Sequence, residues 1–236
     1  MEGKIRVFEM FSGIGAFSSA LERLNIPHET VVCEIDETAH RAYEAIHGPT
    51  ENLGDVTKLE HAPECDLLTY SWPCTSISLA GKREGMKEGS GTASSLLWEV
   101  GRLLDDMKER NCLPEVLVSE NVDAVMNKDN KPLLDKWIIK LNQMGYTTSY
   151  DILNAKDFGI PQNRRRHFMV STLHMGKFIF PKGWELKLRL KDMLEDNVDE
   201  SYYLSDERIA KYERHAPKQS VNKKPFLSTL GSDEKN

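Results

Sequence analysis

Apolar runs alternate along the chain with stretches in which apolar positions recur every three or four residues. Ile5–Met10 reads as a buried strand, and 11–15 (Phe-Ser-Gly-Ile-Gly) as a tight turn after it. Phe17, Ala20, Leu21 and Leu24 then fall at i, i+3, i+4 and i+7, one face of a helix. Thr30–Cys33 predicts a second short strand, and Asp36 is placed to cap a helix running toward Gly48. Asp66–Tyr70 predicts another strand. Leu96, Leu97, Val100, Leu103, Leu104 and Met107 form a helical stripe, and Val116–Ser119 is a β-branched strand. Leu134, Trp137, Ile138 and Leu141 form a further stripe that stops at Gly145. Thr147–Leu153 and His167–Thr172 read as late strands. Strands separated by helices in this rhythm predict an α/β fold, a doubly wound, mostly parallel sheet with helices on both faces. Ligands of such sheets bind at the carboxyl ends of the strands. Periodicity weakens and charge density rises from about Lys182 onward.

Composition narrows the class. A chain of 236 residues, 39% hydrophobic, can bury a core without disulfides. Mean hydropathy is −0.50, and no apolar run is long enough to span a membrane. The N-terminal residues lack the apolar stretch of a signal peptide, so the expected location is the cytoplasm, with no membrane partner. Cys33, Cys65, Cys74 and Cys112 include no Cys-x-x-Cys pair, which argues against a disulfide framework or a zinc site and predicts no metal. Net charge is −6 from 31 Lys+Arg and 37 Asp+Glu. Residues 1–150 carry 15 basic and 24 acidic side chains (−9), and residues 151–236 carry 16 and 13 (+3), so an acidic chain still has a basic end.

Four constellations carry candidate chemistry. In the turn at 11–15, Gly13 and Gly15 let the backbone bend and approach a ligand. Glu34 closes the second strand about 20 residues on, where a carboxylate binds ribose hydroxyls, and Asp55 after Gly54 could accept from an adenine amino group. A nicotinamide cofactor fits the glycine pattern equally well. The second constellation, Ser71-Trp72-Pro73-Cys74-Thr75-Ser76-Ile77-Ser78, places a thiol at the carboxyl end of a strand, rigidified by Pro73. A free thiol has a pKa near ~8.5, so a nucleophilic role needs local donors or cations. Cys33, Cys65 and Cys112 read as packed thiols. The third is Glu120-Asn121-Val122, expected to follow the Val116–Ser119 strand; a carboxyl held in a closed site can have a raised pKa and donate a proton. The fourth is Gln162-Asn163-Arg164-Arg165-Arg166-His167. Alternation on an extended strand would put Gln162, Arg164 and Arg166 on one face and Asn163, Arg165 and His167 on the other.

Together, in this order, these segments resemble the DNA cytosine-5 methyltransferase family. The matching residues are Phe-Ser-Gly-Ile-Gly at 11–15, Pro73-Cys74 with Ser78, Glu120-Asn121-Val122, and Gln162, Arg164 and Arg166. The stretch Asn154-Ala155-Lys156-Asp157-Phe158-Gly159-Ile160-Pro161 is also similar, and the resemblance runs from about residue 5 to about residue 195. It implies the Rossmann-like fold of S-adenosylmethionine-dependent methyltransferases, with S-adenosylmethionine as cofactor and double-stranded DNA as substrate. Phe11, Ser12, Gly13 and Gly15 would shape the cofactor pocket with Ile35, Val56, Pro73 and Leu96; Glu34 would hold the ribose, and Asp55 the adenine amino group. Cys74 would attack cytosine C6, Glu120 would protonate N3, Arg166 would contact O2, and Arg164 would help hold the site. Ser76, Ser78, Lys82, Arg83, Gln162 and Arg165 would contact DNA, with the glycine-rich stretch at 81–91 closing over it. Thr75, Ile35 and Ser90 depart from the family's usual Gln, aromatic and Arg.

Nothing in 196–236 matches the family's later motifs, so 1–195 is expected to form the catalytic domain and 196–236 the start of a target-recognition region or a truncated tail. A second polypeptide supplying target recognition is the expected partner, in a restriction-modification or phage setting. The competing readings are a catalytically incomplete DNA-binding remnant of the same fold, an NAD-dependent oxidoreductase, and the same chemistry on RNA.

Overall fold

The computed structural model describes residues 3–73 and 93–215. Strands β1 (Ile5–Met10), β2 (His28–Cys33), β3 (Glu51–Asn52), β4 (Leu67–Tyr70), β5 (Val116–Val122), β6 (Thr147–Asn154) and β7 (Arg165–Thr172) form one sheet in the order β3-β2-β1-β4-β5-β7-β6. The first five pair in parallel, and β7 is antiparallel to both β5 and β6. The helices are α1 (Ala16–Arg23), α2 (Glu37–His47), α3 (Leu97–Glu109), α4 (Lys131–Gln143) and α5 (Asp206–His215). The expected doubly wound sheet is therefore present, with an antiparallel β6–β7 pair at one edge. Among the described residues, no helix is long and apolar enough to cross a membrane.

Local signals explain the elements. Asp36 caps α2 by accepting from the backbone N–H groups of Thr38 and Ala39, and Gly48 ends that helix with φ +89°. Strand side chains alternate between faces, which divides the molecule into two layers. On one face lie Phe8, Met10, Leu68, Tyr70, Leu117 and Met169, packed under α3 and α4 through Leu97, Val100, Leu104, Leu134 and Trp137, all buried. Trp137 donates its indole N–H to Tyr70 Oη at 3.1 Å, tying α4 to β4. On the other face, Glu9 of β1 meets Ser18 of α1 and Tyr43 of α2. Cys33 and Cys65 are buried and Cys112 half-buried, as packed thiols should be. Burial pushes the Cys33 and Cys65 thiols up to about 12, which leaves them inert.

Two expectations about the late strands change. β5 does not stop at Ser119 but runs through Val122, because β7 pairs with it as far as Val122↔Arg166. Glu120 and Asn121 are thus strand residues, not loop residues after a strand. Conversely, β7 begins only at Arg165, so Gln162, Asn163 and Arg164 lie in the connection from β6 and the proposed extended face does not reach Gln162.

Candidate active site

The turn after β1 is built from left-handed backbone. Phe11, Gly13 and Gly15 have φ of +56°, +55° and +84°. A bulky residue at positive φ is strained, and such strain concentrates at ligand sites. Phe11 N–H continues the sheet by donating to Cys33 O at 2.8 Å. Gly13 N–H donates to Glu34 Oε2 at 2.9 Å, and the other oxygen, Oε1, accepts from Asp36 N–H at 2.9 Å. Glu34 therefore bridges the turn and the start of α2. A Cβ added to Gly13 would meet nothing within 4 Å, so this part of the turn faces open space.

The neighbouring strand ends add an apolar surface and a second carboxylate. Ile35 is 71% exposed beside Glu34, and Val56 is buried next to Asp55. Asp55 Oδ1 accepts from the Thr57 N–H and hydroxyl at 3.0 and 2.8 Å, bonds that hold its carboxyl below the usual carboxylate range. Its Oδ2 lies 3.6 Å from Lys58 Nζ. A glycine turn, a carboxylate after β2, an exposed aliphatic and a carboxylate after β3 suit an adenosine-bearing ligand: polar groups for ribose and base edges, an apolar face for the ring. Half-buried Leu96 packs on the core beside α3, and Pro73, shortly after β4, is half-buried.

A cavity of about 580 Å³ opens where these strands end, and Phe11 and Ser12 line it together with Glu120, Arg164, Arg166 and Phe168. Arg166 Nε stands 3.0 Å from Glu120 Oε1, with both side chains about a quarter exposed. Burial raises the Glu120 pKa above its usual value, while Arg166 and Arg164 pull in the opposite direction. A carboxyl poised between protonated and charged forms, next to a guanidinium, can give a proton to one atom of a ligand while the cation holds a nearby oxygen. Arg164 is fixed through its backbone: Asn154 Oδ1 accepts its N–H at 3.0 Å, and its carbonyl accepts from Ala155 N–H at 3.0 Å. Arg164 and Arg166 thus both line the cavity, although only Arg166 lies on β7.

Other expected site residues fall elsewhere. Arg165 points away from the cavity and forms an ion pair with Asp123 at 3.4 Å, and Gln162 is exposed in the β6–β7 connection. Cys74, Ser76, Ser78, Lys82, Arg83 and the glycine-rich stretch at 81–91 lie outside the described residues. The sequence reading missed Glu9, which also lines the cavity. It is 1% exposed, its Oε2 accepts from Ser18 Oγ at 2.7 Å, and burial raises its pKa. A carboxylate inside the apolar run Ile5–Met10 was a signal available in the sequence. Phe158, Phe168 and Leu153 add apolar wall that only the β6–β7 pairing brings there.

A family model described as C-5 cytosine-specific DNA methylase matches residues 5–234. The chain is 34% identical over 263 residues to the type II methyltransferase M2.ScrFI of Lactococcus lactis subsp. cremoris, covering 87% of this chain and 72% of that protein. It is 45% identical over 166 residues to the orphan methyltransferase M.SssI of Spiroplasma monobiae, covering 69% of this chain and 42% of that protein. The orphan methyltransferase M.SPRI of Bacillus phage SPR is 32% identical over 98% of this chain and 59% of its own length. The chain therefore spans from under half to about three quarters of these relatives. Among solved structures, the S. pombe Dnmt2 methyltransferase superposes with a TM-score of 0.68 at 24% identity, covering 90% of this chain and 66% of that one, a likeness of fold.

Proposed function

This chain belongs to the C-5 cytosine-specific DNA methylase family, and from that premise we propose that it transfers a methyl group to carbon 5 of cytosine in double-stranded DNA. The observation that carries the reading is one shared cavity: Phe11 and Ser12 of the turn line the same space as the Glu120–Arg166 pair. A cofactor on the turn and a pyrimidine against the pair would lie side by side. The residues present fit S-adenosylmethionine: Glu34 would bond the ribose hydroxyls, Ile35 and Val56 would pack on the adenine, and Asp55 would accept from its amino group. That cofactor supplies an electrophilic methyl group.

The chemistry of cytosine explains the other residues. Its ring carbons are shielded in the stacked duplex, so the base has to be flipped out before reaction. Carbon 5 is a poor nucleophile until the ring is made enamine-like. In the proposed cycle the Cys74 thiolate adds to C6 while Glu120 gives a proton to N3, and Arg166 holds O2 with Arg164 beside it. Carbon 5 then accepts the methyl group, leaving S-adenosylhomocysteine, and loses its proton to a base as the C6–S bond breaks to release the Cys74 thiolate, while N3 returns its proton to Glu120. Phe168 and Leu153 exclude water from the wall behind the base.

A 5-fluorocytosine duplex tests this cycle, because fluorine at C5 cannot leave as a proton and the covalent adduct persists. Wild type should form a denaturation-resistant complex in the presence of cofactor, and Cys74→Ser should form none while still binding S-adenosylhomocysteine. Trapping by the serine variant would overturn the assignment of the nucleophile.

We further propose that residues 1–195 are the catalytic domain, that 196–236 begin the target-recognition region, and that a second polypeptide completes recognition, in a restriction-modification or phage setting. The exposure of Tyr202, Tyr203 and Tyr212 supports a recognition surface in the 196–236 segment. Labelled-methyl transfer to mixed-sequence DNA should rise when the completing polypeptide is added, and equal activity of the chain alone would refute the need for one.

A further inference from the structure

We propose that Asn52 is a positioning residue for the adenosine half of the cofactor site, setting Glu34 and Asp55 at their working separation through a single side-chain amide. The inference rests on the reading above that Glu34 serves the ribose and Asp55 the adenine.

β3 is the edge of the sheet and only two residues long. Its register with β2 runs Val31↔Glu51 and Val32↔Asn52, and Leu53 N–H still donates to Val32 O at 2.9 Å. Beyond that point the two chains part, and Glu34 would lack partners for its backbone groups on that side. The Asn52 side chain replaces the missing strand. Its Oδ1 accepts from Glu34 N–H at 2.9 Å, and its Nδ2 donates to Glu34 O at 2.9 Å. The same Oδ1 accepts from Gly54 N–H at 3.0 Å. One amide thus satisfies both backbone groups of Glu34 and also holds the residue before Asp55.

The chemistry of this arrangement admits few substitutes. The site needs an acceptor and a donor on one planar group, at the reach of a single methylene. Aspartate keeps the acceptor and loses the donor, while alanine loses both. Gly54 has φ +71°, a conformation in which its N–H turns back toward Asn52, and Cys33 Sγ reaches Gly54 O at 3.1 Å from the other side. Among the described residues the carboxylate of Glu34 meanwhile bonds to the Gly13 and Asp36 N–H groups, so its position follows its own backbone. Displacing that backbone moves the ribose-binding carboxylate without touching the ligand directly.

Calorimetry on the full chain, with S-adenosylhomocysteine and its 2′-deoxy analogue as probes, separates this role from a general contribution to folding. Wild type should bind the deoxy analogue roughly tenfold more weakly, the worth of one charge-assisted hydrogen bond. Asn52→Ala should weaken S-adenosylhomocysteine by about tenfold and bring the two ligands within about twofold of each other. The double variant Asn52→Ala with Glu34→Gln should discriminate between the two probes no less than Glu34→Gln alone, since both act on ribose discrimination through one contact, and any further common loss of affinity for both probes reads the displacement of Asp55. Should Asn52→Ala fail to fold, Asn52→Asp keeps the two accepted bonds, and its discrimination should fall to an intermediate value. The exposed neighbour change Glu51→Ala should leave both affinities as in wild type. A wild type that binds neither probe, or both equally, sinks the ribose reading and this inference with it. A wild type that discriminates, with Asn52 variants that discriminate just as well, overturns this inference alone.

Discussion

Arg166 Nε lies 3.0 Å from Glu120 Oε1 across the β5–β7 pair, and the two residues are brought together by an antiparallel register in which Val122 faces Arg166 and Glu120 faces Phe168. The carboxyl is pulled two ways: burial favours its neutral form, and the guanidiniums favour its charged form. Burial prevails, so the folded protein keeps this proton to a higher pH than an exposed glutamate would.

The sign of the resulting pH dependence follows. A proton donor is competent only while protonated, so methyl transfer should decline as pH rises through the elevated Glu120 pKa. Removing Arg166 takes away a group that lowers that pKa. Arg166→Ala should therefore move the alkaline limb of the rate profile to higher pH while lowering the maximum rate. Glu120→Gln should reduce turnover by about 10²–10⁴-fold and leave S-adenosylhomocysteine affinity near wild type. Single-turnover rates across pH check both, and an unmoved limb in Arg166→Ala would refute the coupling.

His167 offers a stability test on the opposite face of β7. It is fully buried against Tyr150, ring centroids 5.4 Å apart, and neither ring nitrogen has a hydrogen-bond partner among the described residues. Burial lowers its pKa from 6.5 to about 4; Lys131 pushes the same way and Asp151 opposes. The unfolded chain takes up this proton at higher pH than the folded one. Stability should therefore fall as pH drops from about 6.5 toward 4, by up to about 3 kcal/mol from this residue. His167→Met should flatten that part of the urea-denaturation profile, and a slope identical to wild type would count against the buried neutral imidazole.

Gly13 and Gly15 should respond differently to alanine although both sit at positive φ. At Gly13 the added methyl meets open space, and the cost should be the backbone penalty alone, about 1–2 kcal/mol. At Gly15 the new Cβ would overlap His47 Nε2 and come within 2.6 Å of Tyr43 Cε2. Both rings would have to move, and Gly15→Ala should cost more than about 3 kcal/mol. Equal midpoints for the two variants in chemical denaturation would contradict the packing of α2 beneath the turn.

Glu9 is held by hydroxyls and the Phe17 backbone: Ser18 Oγ donates at 2.7 Å, Tyr43 Oη lies 3.5 Å away, and the two hydroxyls are 2.6 Å from each other. Its raised pKa means that the folded state holds the proton longer than the unfolded chain, so its contribution to stability is lost as pH rises above the ordinary glutamate range. Glu9→Gln preserves an acceptor for Ser18 and should make the protein less sensitive to alkaline pH. Glu9→Ala leaves buried hydroxyls without that acceptor and should cost about 2–3 kcal/mol. Thermal melts at pH 6 and pH 8 distinguish the two outcomes.

Much of this molecule was determined by local sequence alone. Alternation of apolar runs with helical stripes specified β1, α1, α2, α3 and α4, because burial of one strand or helix face leaves a fixed spacing in the chain. Asp36 and Gly48 announced the ends of α2 through groups that satisfy its terminal N–H and carbonyl groups. The ordered motifs specified the family, since each demands particular side-chain chemistry at a strand end. The tertiary structure decided what depends on pairing between distant segments. Whether Glu120 lies in a strand or after it depended on how far β7 pairs along β5. Glu9, passed over inside the apolar run, is accommodated only because α1 and α2 supply its hydroxyl partners. Asn52 was unremarkable in sequence, because a lone asparagine near a turn has many local uses; only the divergence of β2 from β3 leaves Glu34 with backbone groups that its amide can satisfy.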